Sequence, residues 1–160
     1  LKDNVRTSYV ATISAELSDW IIRDIDLRMA RISGTVASKG EPLNLLRYQN
    51  NEEYRGHYDA FSAEELARAQ TKAEGGQRTH TVLGYLNSIE DDAFTYFSRL
   101  GVKVAPERGA CVAFRNTDES GNILRNSYHA GEPSTIGVKW TLTKWIRNNT
   151  TKYGKFCHGN

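Results

Sequence analysis

The chain has 160 residues, 39% of them hydrophobic and 25% charged, with 21 basic against 19 acidic side chains. That length is about one domain, long enough to bury roughly two-thirds of its unfolded surface without a disulfide or metal. Disorder and collagen-like repeats are excluded by the composition, and the short apolar runs exclude a membrane-spanning helix. No basic stripe tracks along the sequence, so neither nucleic acid nor a membrane is expected as a partner. Cys111 and Cys157 match no zinc spacing and are too few for a disulfide scaffold, which makes a reducing compartment the default. The N-x-T sequons at Asn148 and Asn149 would matter only in a secretory pathway. The residues assign no oligomeric state.

The first predicted element is a helix. Ser18 can cap it, Ile22, Ile25, Met29 and Ile32 recur on one face, and Gly34 can end it. Short strands follow at Leu43 to Tyr48 and Tyr54 to Tyr58. A capping-box pair, Ser62 and Glu65, opens a short surface helix reaching about Lys72, and Gly75-Gly76 closes that excursion. From Arg78 onward the pattern is strands and turns: Thr79 to Leu86, Val102 to Val104, Ala110 to Arg115 and Val138 to Ile146. Asp118 to Gly121 and Ala130 to Pro133 punctuate them. One helix followed by many short strands predicts a mainly β, α+β domain built on a sandwich or barrel, with the N-terminal helix in support.

Among four histidines, His57 stands out because Asp59 follows two residues later. Strand alternation places both on one face, close enough to share an ion. Alone, the pair reads as well as a metal-free strand surface. His129 adds a third ligand, and two imidazoles with one carboxylate form the facial triad of non-haem Fe(II) oxygenases. Lys139, ten residues on in a β-like run, is either an outward solvated residue or an inward anchor for an anion.

Tyr48, His57-x-Asp59, the Gly75-to-Leu86 run with Arg78, Thr81 and Tyr85, His129-Ala-Gly131 and Lys139-Trp140 fall in a recognisable order. From Arg6 to Arg147 the chain resembles the prolyl 4-hydroxylase-like branch of the Fe(II)/2-oxoglutarate dioxygenases. The resemblance implies a double-stranded β-helix, or jelly roll, across residues 1–160, without the helix-and-strand portion that usually precedes it. It implies Fe(II) held by His57, Asp59 and His129, with 2-oxoglutarate and O2 as co-substrates and ascorbate supporting sustained activity. Lys139 would meet the far carboxylate of 2-oxoglutarate, with Tyr48, Tyr85 and Thr95 lining its pocket; the two tyrosines read otherwise as core aromatics. Because Asp59 is retained where related halogenases have a small residue, hydroxylation is implied over halogenation. Tyr54, Arg78 and Trp145 match positions that contact a proline-containing peptide, although Trp145 also reads as core and Arg78 as the ion-pair partner of Glu90 or another neighbour. The stretch from Phe61 to Gly76 falls where the family carries a mobile loop, or is a surface excursion. Two departures stand out: Asp92-Ala93-Phe94-Thr95 replaces Gly-Gly-Glu-Thr, and Arg147 replaces a histidine found in some relatives. The implied activity is hydroxylation of proline in a peptide or protein. The alternatives are hydroxylation of a free amino acid or small metabolite, and a non-catalytic module binding proline-rich segments.

Overall fold

The computed structural model describes residues 5–90 and 92–159. Two antiparallel sheets face each other. The larger has the order β1 (Tyr9–Thr12), β2 (Asn44–Tyr48), β9 (Lys139–Arg147), β4 (Arg78–Tyr85), β7 (Cys111–Arg115). The smaller runs β3 (Tyr54–His57), β8 (His129–Gly131), β5 (Thr95–Phe97), β6 (Val102–Val104). This is the expected jelly roll.

The central strand, β9, is covered on both faces. Leu142 and Ile146 point to a core shared with Leu43, Val82 and Met29, on which Ile22 and Ile25 of helix α1 (Trp20–Ile32) also pack. The alternate residues Lys139, Thr141, Thr143 and Trp145 face the smaller sheet. Helix α1 begins one residue later than expected. Asp19 is its cap, accepting from the Ile22 amide at 3.0 Å, while Ser18 donates to the Ser14 carbonyl and bonds the Tyr153 hydroxyl. Ile32, at the last helical position, is 56% exposed rather than core.

Behind the larger sheet lies a charged cluster closed to water. Lys144 of β9 donates to Asp26 of α1 at 2.7 Å, and both side chains are fully buried. The other Asp26 oxygen accepts from Tyr153 at 2.7 Å and meets His158 at 3.2 Å, both on helix α4 (Lys152–His158). Gly40 passes so close to the Lys144 stem that a Cβ there would come within 2.2 Å of its Cε.

The excursion after Phe61 is two single-turn helices, α2 (Ala63–Ala67) and α3 (Ala69–Ala73), rather than one. The chain straightens at Arg68, with ψ 133. The Ser62–Glu65 capping box is present. Gln77 staples its base: the side-chain amide accepts from Phe61 N at 2.8 Å and donates to Phe61 O at 2.9 Å. Sequence patterning does not register β1, β5, β8 or α4; residues 130–133, expected as a turn, begin inside β8. Thr95-Tyr-Phe97 and His129-Ala-Gly131 carry no apolar alternation of the kind that marks Val102-Lys-Val104, and β1 is exposed at every position.

Lys144→Met would strand Asp26 without its cation in a dry interior. Losing one partner of such a pair costs about 3–5 kcal/mol. Urea unfolding at neutral pH should show a loss of that size; a midpoint equal to wild type would contradict the pairing.

Candidate active site

Strand β3 carries His57 and β8 opens with His129, and the two histidines face each other across the ladder. Between the Tyr54–Gly131 and His57–His129 pairs the register shifts, so β3 holds one extra residue. Such a bulge re-aims the side chain that follows it. Gly56 lies within the bulge, where the Tyr128 ring leaves no room for a Cβ: its hydroxyl would be 2.5 Å away. Asp59 lies beyond the end of β3, in a bend, so strand alternation is not what brings it to His57. The bend does.

The three side chains converge. His57 Nε2 is 3.4 Å from Asp59 Oδ1, and His129 Nε2 is 3.8 Å from Asp59 Oδ2. One ligand atom from each lies within 4.8 Å of the others, the only such His, Cys, Asp and Glu grouping among the described residues. Each ring is held from behind through Nδ1, His57 by the Arg55 carbonyl and His129 by the Ser127 carbonyl, both at 2.8 Å. A carbonyl only accepts, so Nδ1 carries the proton in both rings and both Nε2 lone pairs are left toward the centre. Tyr54 stacks on His57 at 3.7 Å, and Phe97 and Phe114 pack around His129. Burial lowers the His129 pKa, keeping that imidazole neutral. Burial alone would raise the Asp59 carboxyl, but in acid the charge on protonated His129 and His57, with the Thr81 hydroxyl, outweighs it and holds the carboxyl well below the usual range.

A narrow slot leads from this centre between the sheets. Counting the open solvent at its mouth, it holds about 420 Å³ of space between the side chains. Tyr48, Tyr54, Thr95, Gly131, Lys139, Thr141 and Trp145 line it together with the three convergent ligands. Lys139 is buried and points inward, not to solvent. Its ammonium donates to the carbonyls of Ala93 at 2.8 Å and Glu132 at 3.1 Å and lies 4.4 Å from the centre of the Tyr48 ring. Burial pushes its pKa down to about 8. Ala93, in the segment that departs from the family pattern, adopts a left-handed φ of 57. Tyr85 lies outside the slot but donates to Thr95 Oγ1 at 2.8 Å, leaving the Thr95 proton for another acceptor; burial raises the Tyr85 phenol to about 12. Thr141 Oγ1 and Trp145 Nε1 are buried in the same wall without a partner among the described residues. Thr141 is a lining residue that sequence reasoning missed, although its spacing of two from Lys139 in a strand was signal enough.

Arg78 is the predicted residue that the structure sets apart. It does not line the slot, and its ion-pair partner is Glu41, not Glu90, through Nε at 2.6 Å and Nη2 at 2.9 Å. Its guanidinium lies 3.7 Å from the centre of the Trp145 ring and 4.7 Å from that of Phe61. Arg147 shares Glu41 and also donates to the Gly76 carbonyl.

A jelly roll that presents two imidazoles and one carboxylate at the head of a lysine-floored slot is the frame of a facial-triad iron protein. The sequence pattern of the 2OG-Fe(II) oxygenase superfamily matches residues 43–147, and the chain belongs to that family. It is 32% identical over 159 residues to the probable prolyl 4-hydroxylase 9 of Arabidopsis thaliana, covering 89% of this chain and 54% of that protein. It is also 32% identical over 145 residues to a putative prolyl 4-hydroxylase of Acanthamoeba polyphaga mimivirus, covering 90% and 59%. The chain thus spans little more than half the length of these relatives. Its fold is shared with the viral collagen prolyl hydroxylase of Paramecium Bursaria Chlorella virus-1 in its 2OG complex, at a TM-score of 0.69 and 23% identity over 89% of this chain and 79% of that one.

The donor set fits Fe(II): both Nε2 atoms and an ionised carboxylate are presented together, and their outer hydrogen bonds are already satisfied. The lining of the slot matches 2-oxoglutarate in its chemistry, since a buried cation with only neutral partners in direct contact and two orphaned donors suit an acidic, oxygen-rich ligand. Calorimetric titration should find one Mn(II) or Co(II) bound per chain. Burial lowers the His129 pKa, so protons compete weakly there at neutral pH, and metal affinity should hold at neutral pH and weaken as the solution is made acidic. Undiminished binding by Asp59→Ala would place the metal elsewhere.

Proposed function

We propose that this chain carries a prolyl 4-hydroxylase that hydroxylates proline within an extended peptide. The observation that carries the reading is the shared slot, with His57, Asp59 and His129 at its head and Lys139 at its floor. When bound, Fe(II) with 2-oxoglutarate and O2 supplies an oxidant that converts an unactivated C–H bond to C–OH while 2-oxoglutarate is split to succinate and CO2. The residues of the chain do the rest. Lys139 pairs with the far carboxylate of the co-substrate, with the Thr95 and Thr141 hydroxyls beside it. Thr81 and the two backbone carbonyls fix the ligand side chains, and Phe97 and Phe114 keep water from His129.

The peptide preference rests on what surrounds the slot. Tyr54, stacked on His57, and Trp145, with Arg78 over its ring, supply aromatic surface at its lining of the kind that suits a pyrrolidine ring and the extended conformation of proline-rich chains. Arg78 gives two donors to Glu41 and stacks on Trp145, so it stiffens that wall and leaves Nη1 for a peptide carbonyl. The ionisable side chains at the slot that could meet an ammonium or a carboxylate are His57, Asp59, His129 and Lys139, all taken by metal or co-substrate. None remains to pair with the ammonium and carboxylate of a free amino acid. The names of the curated relatives agree with this reading, as does a fold shared with a Trichoplax adhaerens prolyl hydroxylase in complex with a hypoxia inducible factor peptide fragment.

Incubation with Fe(II), 2-oxoglutarate, ascorbate and a proline-rich peptide should yield succinate and a peptide heavier by one oxygen. Asp59→Ala should abolish both; efficient turnover of free proline without peptide activity would overturn the proposal. Lys139→Ala should weaken 2-oxoglutarate by roughly 3–5 kcal/mol, more than a hundredfold in Kd, with Mn(II) affinity retained. The anion binds the charged lysine, so in wild type affinity should be steady near pH 7 and decline as pH rises through about 8. Calorimetry of the Mn(II)-loaded protein across that range is the check.

A further inference from the structure

Asp59 has a second attachment, which leads away from the triad. Its Oδ2 accepts from Thr81 Oγ1 at 2.7 Å, and Thr81 Oγ1 in turn accepts from Asn116 Nδ2 at 2.9 Å. Both Thr81 and Asn116 are fully buried. A threonine hydroxyl has one proton. With the Asn116 amide donating to its oxygen, that proton has a single destination, the Asp59 carboxylate. A reversed Asn116 amide would present an acceptor to the same hydroxyl and compete with Asp59 for the proton. The observed orientation leaves Asn116 Oδ1 buried without a partner among the described residues, an arrangement unfavourable for folding alone.

The backbone of Asn116 reaches the other side of the triad. Its amide donates to the Thr79 carbonyl at 2.8 Å, and its carbonyl accepts from Leu124 at 2.9 Å, closing the turn that follows β7. The Leu124 carbonyl accepts from both the amide and the hydroxyl of Ser127, at 3.0 and 2.8 Å. Ser127 O is the group that orients His129. One residue therefore braces Asp59 through its side chain and His129 through its main chain.

We propose that Asn116 is a positioning residue for the metal centre, whose amide directs the Thr81 proton onto Asp59 and so sets the carboxylate for metal binding. The inference rests on the reading of His57, Asp59 and His129 as a divalent metal site. Co(II) titration of the metal-free protein, followed by calorimetry and by the visible absorption of the bound ion, tests it. Asn116→Leu keeps the bulk, removes the donor and removes the orphaned oxygen; Asn116→Ala serves should the larger side chain prevent folding. The expected result is Co(II) affinity about tenfold or more weaker, within the range found for groups supporting metal ligands. The thermal midpoint of metal-free Asn116→Leu should not be lowered, which a merely structural role would not produce. In a Thr81→Val background the Asn116 substitution should add no further loss of affinity, because the proton it directs is already gone. Wild-type Co(II) affinity in both Asn116 variants, or a penalty that adds in full to that of Thr81→Val, would overturn the proposal. Failure of the wild type to bind Co(II) would instead reject the metal site itself, and the inference with it.

Discussion

The ammonium of Lys144 lies against Asp26 with no access to water, and the organisation of the molecule depends on that contact. Two charges in a dry interior are tolerable only while they stay together and hydrogen-bonded. Their pairing therefore fixes α1 against β9, and Tyr153 and His158 bring α4 to the same carboxylate. With one face of β9 set in this way, strand geometry sends the alternate residues, Lys139 through Trp145, toward the smaller sheet. The slot is thus built on the reverse of an ion pair.

Within the slot the chain uses neutral groups to hold charged ones. Each imidazole is oriented by the carbonyl two residues before it, so the local backbone conformation fixes the tautomer. Lys139 bonds to backbone carbonyls, with no carboxylate in direct contact, which solvates the cation without neutralising it. An anion entering the slot therefore meets a positive charge already desolvated and held in place. The left-handed Ala93 aims one of those carbonyls; that conformation is costly for a residue with a Cβ and is tolerated where surrounding contacts over-determine it.

Much of this is legible in the order of residues, and the remainder divides by physical cause. The α1 face and the strands β2, β4, β7 and β9 announce themselves because each carries apolar or β-branched side chains in a run or an alternation. His57, Asp59, His129 and Lys139 are recognisable because few residue types can ligate iron or hold a buried anion. Asp59 reaches the triad by a route that strand alternation does not describe. Strand β3 stops at His57 after a bulge, and a bend completes the approach. Glu41, 37 positions before Arg78, shows no local sign of its two arginine partners, since the pairing exists only once β4 and β9 are neighbours. Asn116 is similarly silent: a contact with Thr81 across 35 residues leaves no trace in spacing.

Lys139 and Lys144 are five residues apart on one strand, an odd number, so they must leave it on opposite faces. A β9 shifted by one position against its neighbours would turn both ammoniums around together. One would enter the layer of Met29, Leu43 and Val82, and the other would lose Asp26. Each misplaced charge would weigh against that arrangement by several kcal/mol, where an all-apolar strand would feel little difference between registers. The two lysines therefore favour the one alignment in which both cations are accommodated.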